Sequence, residues 1–106
     1  MQKAIITLCF CIAATIGYSQ SEIPEDVNKL LTKNLCSACH KLDQKLVGPS
    51  YKELASKGNS EKEIIALIYE PNPSNWPDYP PMAPLPHLDK NEVKTIAKWI
   101  KSLEKK

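Results

Sequence analysis

The 106-residue chain has no arginine, and its 14 lysines barely outnumber its 12 acidic residues. Bidentate contacts to phosphate and guanine favour Arg, and a net charge of +2 is small for a surface that binds a polyanion. These absences argue against nucleic acid as a partner. The sequence also lacks low-complexity blocks, and its hydrophobic content of 42% argues against a disordered chain.

No apolar run is long enough to span a bilayer. The uncharged segment 4–17 has 14 residues, whereas a spanning helix needs about 20. Such a run after Lys3, followed by small residues, is typical of a secretory signal. We therefore predict a cleaved signal peptide over residues 1–19 and one domain over residues 20–106, without a membrane span. An uncleaved N-terminal anchor is the alternative.

Phenylalanine is absent from the predicted domain, whose core is therefore thin. Small domains of this kind usually need a disulfide, a metal or a cofactor to stabilise them. The adjacent pair Cys36 and Cys39 would close too small a loop to have this effect. We therefore expect a cofactor to complete the core.

Apolar residues recur at helical spacing in four segments, and no segment has the alternation of a strand. We therefore predict an all-α domain of about four short helices. The first helix starts at Pro24, and the second starts at Pro49-Ser50 and stops at Gly58. The third starts with a Ser60/Glu63 capping box and must end before Pro71. The fourth starts with an Asp89/Glu92 capping box. In the fourth helix, Trp99 is expected to pack against the first.

Residues 71–86 contain seven of the nine prolines and lie between the third and fourth helices. Such a segment is either a disordered linker or an ordered loop. We predict an ordered loop, because it contains Trp76, Tyr79, Met82 and Leu85, and because proline limits the freedom of the unfolded chain.

The segment CSACH at residues 36–40 has the spacing C-x-x-C-H, which is the attachment signature of c-type haem. Two thiols at this spacing add to the two vinyl groups of a porphyrin, and the turn brings His40 to the iron. A covalently attached haem would also complete the thin core. We predict one haem c, with its iron, attached through Cys36 and Cys39.

Other interpretations of this motif are weaker. A thioredoxin-like pair needs a βαβ setting, which the sequence does not predict. A zinc site would need four ligands, and Cys36, Cys39, His40 and His87 lack the usual paired spacing. A disulfide would leave His40 unexplained.

The second axial ligand must come from farther along the chain. Met82 is the one methionine of the predicted domain, and a thioether ligand raises the haem potential. The prolines around Met82 would hold its sulfur in place. Met82 could instead only pack, with His87 or a lysine as the ligand.

The chain resembles the class I cytochromes c, in particular small bacterial monohaem proteins of the periplasm. The resemblance lies in CSACH at 36–40, LVGPSYKELA at 46–55, Trp76 followed by Pro80-Pro81-Met82, and AKWIKSL at 97–103. It implies the cytochrome c fold, with short helices wrapped around the haem. It also implies thioethers at Cys36 and Cys39 and axial ligands at His40 and Met82.

The resemblance implies further roles around the haem. Pro49 would present its carbonyl to the second ring nitrogen of His40. Trp76 would donate its indole N–H to a haem propionate, or cover the haem as an apolar lid. Tyr51 and Tyr79 would either pack in the core or contact a propionate, and the resemblance does not decide between these roles.

One departure concerns the end of the third helix. Close relatives often have a basic residue and a glycine there, where this chain has Leu67 and Glu70-Pro71. The propionates would then be held differently.

The function implied is one-electron transfer in a periplasmic respiratory chain, by a monomer that is not an enzyme. Its partners would be redox proteins, namely a reductase or dehydrogenase as donor and an oxidase or terminal reductase as acceptor. Lysines that could steer them are Lys33, Lys41, Lys45 and Lys52, although these could equally be ordinary solvated charges. Alternatives are a fixed haem subunit of a larger redox complex and a haem-based sensor with a labile methionine ligand.

Overall fold

A computed structural model describes residues 23–104 of the chain. The predicted signal peptide at residues 1–19 and its cleavage lie outside the described residues. Between residues 23 and 104, no helix combines the length and the apolar character needed to cross a membrane.

Within the described part, the chain forms α-helices and short 3₁₀ turns but no strand. The four α-helices are α1 (Glu25–Lys33), α2 (Tyr51–Ala55), α3 (Glu61–Tyr69) and α4 (Lys90–Ser102), and the 3₁₀ turns are Cys36–Ala38 and Pro73–Asn75. The all-α prediction with four short helices is therefore confirmed.

The helix ends follow the sequence signals with two differences. At the start of α3 the predicted capping box is complete, since the Ser60 hydroxyl accepts from the Glu63 amide at 3.0 Å and the Glu63 carboxylate accepts from the Ser60 amide at 2.8 Å. Helix α2 was predicted to stop at Gly58 but already ends at Ala55. The turn after it closes at Gly58, whose φ of +76° favours glycine.

Of the two hydrogen bonds that make up the capping box predicted at the start of α4, one forms and the other does not. Asp89 accepts from the Glu92 amide at 3.0 Å, but the Glu92 carboxylate does not reach back to Asp89. It binds the Lys33 ammonium at 2.7 Å and the Asn34 amide group at 3.2 Å. A cation at the end of α1 thus competes for the carboxylate, and Glu92 ties α1 to α4.

The core is built around α4, against which α1, α2 and α3 each pack. Val27, Leu31, Ile96 and Ile100 are almost fully buried there. Trp99 is buried in the same cluster as α1 residues, in keeping with its predicted packing role. Its ring also meets Tyr51 of α2 edge to face, with centroids 5.1 Å apart. This core fixes one side of the cavity described next.

Candidate cofactor site

A cavity of about 250 Å³ opens between two segments of the chain. One segment is residues 36–51, here called the His40 wall, and the other is residues 71–86, the Met82 loop. Voids larger than a water molecule are few in a close-packed domain, so a cavity of this size is the candidate binding site of the described residues. The six residues predicted from sequence all line it, namely Cys36, Cys39, His40, Pro49, Trp76 and Met82.

The two cysteines enter the cavity from a tight turn. The amides of Cys39 and His40 both donate to the Cys36 carbonyl at 3.0 Å, which closes the turn. Leu35 begins the turn with a left-handed φ of +64°. Both thiols are free and partly buried, and burial raises the pKa of the Cys36 thiol. The two cysteines therefore line the cavity as free thiols.

The His40 ring is held on two sides. Its Nδ1 lies 2.7 Å from the Pro49 carbonyl oxygen, so Nδ1 carries the proton and Nε2 keeps its lone pair for a ligand bond. Gly48 allows this approach, because a Cβ there would lie 2.6 Å from His40 Cε1. The prediction for Pro49 thus has the required geometry, and Gly48 is a site residue that sequence reasoning did not single out.

Tyr51 lies beside His40, with ring centroids 5.5 Å apart. It is buried, and its hydroxyl has no hydrogen-bond partner among the described residues. Burial raises the Tyr51 pKa, so the hydroxyl remains protonated. The residue lines the cavity, but its hydroxyl oxygen is not accessible from it, so Tyr51 offers an occupant its ring and not its hydroxyl.

The Met82 loop is anchored near its ends. The Leu85 amide donates to the Tyr69 carbonyl at 3.2 Å, and the Tyr69 hydroxyl donates to the Leu88 carbonyl at 3.0 Å. Met82 lines the cavity and is 39% exposed. It therefore has access both to an occupant and to solvent.

Of the alternative axial ligands, His87 is not placed at this cavity, whereas one lysine, Lys57, lines it. His87 is exposed and is absent from the residues that line it. Among residues 23–104, no group of three or more His, Cys, Asp or Glu side chains has the arrangement of a metal site. The structure therefore gives no support to a zinc site or to His87 as a ligand.

Two aromatic residues of the Met82 loop contact lysines that lie outside that loop. The Lys57 ammonium lies 4.5 Å from the centroid of the Trp76 ring, and the Lys45 ammonium lies 5.1 Å from that of Tyr79. The Tyr79 hydroxyl also donates to Glu53 at 3.3 Å. Lys57 lines the cavity and was not predicted, because its contact with Trp76 depends on how the two segments meet.

The lysines expected to steer partners fall into two groups. Lys33 forms an ion pair with Glu92 at 2.7 Å. Lys41, Lys45 and Lys52 are exposed near the His40 wall, although Lys45 also covers Tyr79. Three of the four therefore remain available to a partner.

The donor set fits a covalently held haem. Two free thiols at C-x-x-C spacing, one imidazole and one thioether line an otherwise mostly apolar cavity. These are the groups that attach a porphyrin and ligate its iron.

Comparison with known proteins agrees with this geometry. The sequence model of the cytochrome c family matches residues 24–104. Cytochrome c-551 of Pseudomonas aeruginosa is 33% identical over 88 residues, which cover 79% of this chain and 83% of that protein. Cytochrome c-551 of Stutzerimonas stutzeri is 34% identical over 89 residues, which cover 80% of this chain and 84% of that protein.

Solved structures show the same similarity. Cytochrome c552 of Nitrosomonas europaea superposes with a TM-score of 0.67 at 30% identity, covering 73% of this chain and 99% of that one. The class 1 cytochrome MtoD of Sideroxydans lithotrophicus gives a TM-score of 0.61 at 26% identity, covering 74% and 94%. The chain therefore belongs to the cytochrome c family and carries one covalently attached haem c.

Proposed function

We propose that the chain is a periplasmic one-electron carrier of a respiratory chain, with its haem iron ligated by His40 and Met82. Membership of the cytochrome c family supports electron transfer as the function. The observation that carries the finer proposal is the cavity that brings His40 and Met82 together with the two cysteines.

The His40 wall would hold the cofactor. When bound, haem c supplies the one-electron Fe(III)/Fe(II) couple. Cys36 and Cys39 would form its two thioethers, so that it cannot dissociate. His40 would offer Nε2 as the first axial ligand, because the bond from Nδ1 to Pro49 fixes the ring and raises its basicity.

Met82 would supply the second axial ligand from the opposite segment. A thioether is a soft ligand that favours the reduced state of iron and so raises the potential. With His40 and Met82 both bound, no axial position would remain for a substrate. This supports a carrier and not an enzyme.

Protein partners would approach the exposed lysines near the His40 wall. Lys41, Lys45 and Lys52 would attract acidic surfaces and speed brief encounters. Lys33 would contribute less, since Glu92 already neutralises it.

Optical spectra test the proposed ligands. The protein is exported with haem-attachment machinery, and oxidised and reduced spectra are recorded for the unaltered chain, Met82→Ala and His87→Ala. We expect low-spin spectra for the unaltered chain, with the near-infrared sulfur-to-iron band in the oxidised form. Met82→Ala should lose this band and His87→Ala should keep it, because His87 does not line the cavity.

Other outcomes would point to the alternatives. Absence of the sulfur band from the unaltered protein, with low-spin bands retained, would contradict Met82 ligation. Rapid carbon monoxide binding to the reduced, unaltered protein would favour a sensor. Stable copurification with a larger redox complex would favour a fixed subunit.

A further inference from the structure

One part of the cavity lining is polar, whereas most of the rest is apolar. The segments 57–59 and 72–76 meet there through the contact between Lys57 and Trp76. Their polar lining residues are Lys57, Asn59, Asn72, Asn75 and Trp76. Because the two segments are joined by that contact, these side chains belong to one region of the cavity, which we call the polar end.

The polar end is rich in donors and carries positive charge. Lys57 is the sole charged side chain among the described residues that line the cavity, and no carboxylate lines it. The Trp76 indole N–H can only donate, and it has no acceptor among the described residues. A region with these properties favours an anion with oxygen acceptors.

Lys57 is available for such an anion. No ion pair joins it to a carboxylate within residues 23–104. Its ammonium lies over the Trp76 ring, an arrangement that leaves its hydrogen-bond donors free. Leu67, at the position where a basic residue was anticipated from the resemblance, lines the same cavity and offers no charge.

We infer that Lys57 is the cation that binds a haem propionate, beside the indole N–H of Trp76, whose contact with a propionate the family resemblance already implies. The inference rests on the proposed function, because the carboxylate belongs to the haem. The alternative source of a carboxylate is an acidic side chain of a redox partner. Lys57 and Lys52 are both exposed, but of the two it is Lys57 that lines the cavity, and this placement favours the haem.

Lys57 would act as a positioning residue that also tunes the potential. A cation beside the propionate offsets its negative charge and thereby favours the reduced iron. Loss of that cation should therefore favour the oxidised form. The effect should reach up to about tenfold in the equilibrium constant for reduction, equivalent to 59 mV for one electron.

The test compares haem-loaded variants at fixed pH and ionic strength. Lys57→Gln removes the charge, Lys57→Arg keeps it, and Lys52→Gln removes the charge of another exposed lysine, which does not line the cavity. The measurements are the reduction potential and the NMR signals of the haem propionate methylene protons. We expect Lys57→Gln to lower the potential and shift one propionate, with Lys57→Arg close to the unaltered protein and Lys52→Gln nearly silent.

Trp76→Phe supplies a second variant that keeps an aromatic ring under Lys57. It should shift the same propionate signals, because it loses the N–H donor but not the cation–π contact. If the propionate signals and the potential of Lys57→Gln match those of Lys52→Gln, the inference is overturned. Slower electron transfer to a partner protein with an unchanged potential would assign Lys57 to docking, which also overturns it.

The sulfur-to-iron band separates this inference from the proposed function. Its absence from the unaltered protein would contradict Met82 ligation. The propionate signals would still decide the role of Lys57, because they report on the porphyrin edge and not on the axial ligand.

Discussion

The His40 wall is fixed by backbone hydrogen bonds on both sides of its ligand, whereas the Met82 loop has them in residues 72–79 and at Leu85 but not around Met82. In the wall, the Gly48 amide donates to the Cys39 carbonyl at 2.7 Å and the Tyr51 amide donates to the Lys41 carbonyl at 2.8 Å. In the loop, residues 80–84 make no backbone hydrogen bond within the described chain.

This difference indicates that the two sides are stabilised by different means. The wall depends on contacts that exist only in the folded protein. The prolines of the loop act in addition through the unfolded chain, whose freedom they reduce. The rigid imidazole of His40 would therefore lie opposite a thioether on a more adjustable segment. Of the two ligand bonds, the one from Met82 would be the weaker.

The largest expected effect comes from a methyl group added to the wall. In Gly48→Ala the new Cβ would lie 2.6 Å from His40 Cε1 and 3.0 Å from Nδ1, so the ring or the backbone must shift. We expect a loss of about 1–3 kcal/mol in the free energy of unfolding, the usual cost of overpacking. Denaturant unfolding of the haem-loaded protein measures it, and the optical spectrum should also change.

Gly58→Ala is the matched control. Its Cβ has space, with Glu104 the nearest group at 3.7 Å, but its φ of +76° strains alanine. Stability should fall here as well, without a change in the spectrum of the haem. If Gly48→Ala also left the spectrum unaltered, close packing at Gly48 would not be what positions His40.

The wall was largely predictable from sequence because its parts are close together in the chain. The motif at residues 36–40 fixes the ligand and both thiols within five residues, and Pro49 follows shortly after. Met82 was identifiable because the predicted domain contains no other methionine.

The lysine contacts were not predictable in the same way. Lys57 and Trp76 are 19 positions apart, and only the folded chain brings them within 4.5 Å. The α4 capping box failed for the same reason, since the competing Lys33 lies on another helix. Local patterns thus predicted the helices and ligands, while charges that pair across the fold required the structure.

A smaller effect is expected from loosening the loop near its end. In Tyr69→Phe the hydroxyl that donates to the Leu88 carbonyl is lost. The aromatic ring remains, as does the hydrogen bond from the Leu85 amide to the carbonyl of residue 69. We expect a loss of about 1 kcal/mol, typical of one partly buried hydrogen bond. The sulfur-to-iron band should also disappear at lower denaturant concentration than in the unaltered protein.

Tyr79→Phe removes the same atom from another tyrosine of this region. Its hydroxyl donates to Glu53 in an exposed contact at 3.3 Å, so its removal should cost less than that of Tyr69. Equal losses in the two variants would show that the Tyr69 anchor has no special part in holding the loop.

The smallest effect concerns the ion pair that ties α1 to α4 just before the His40 wall. The hydrogen bond from Lys33, followed by that from Asn34, lowers the Glu92 pKa. A carboxyl group with a lowered folded pKa favours folding above its unfolded pKa of about 4.3 and loses this contribution as pH falls through the folded value. Glu92→Gln should therefore flatten the acid side of the stability profile, measured by denaturant unfolding at several pH values.

Glu104→Gln is the control, because Glu104 lies just after α4 and pairs with Lys101 at the end of that same helix, so it does not join two helices. Since α1 leads directly into the His40 wall, Glu92→Gln should also speed hydrogen exchange of the Gly48 amide more than that of Leu85 in the Met82 loop. Equal acceleration at both amides would mean that the two sides open together. The contrast between a wall with backbone hydrogen bonds on both sides of its ligand and a loop without them around Met82 would then not extend to their dynamics.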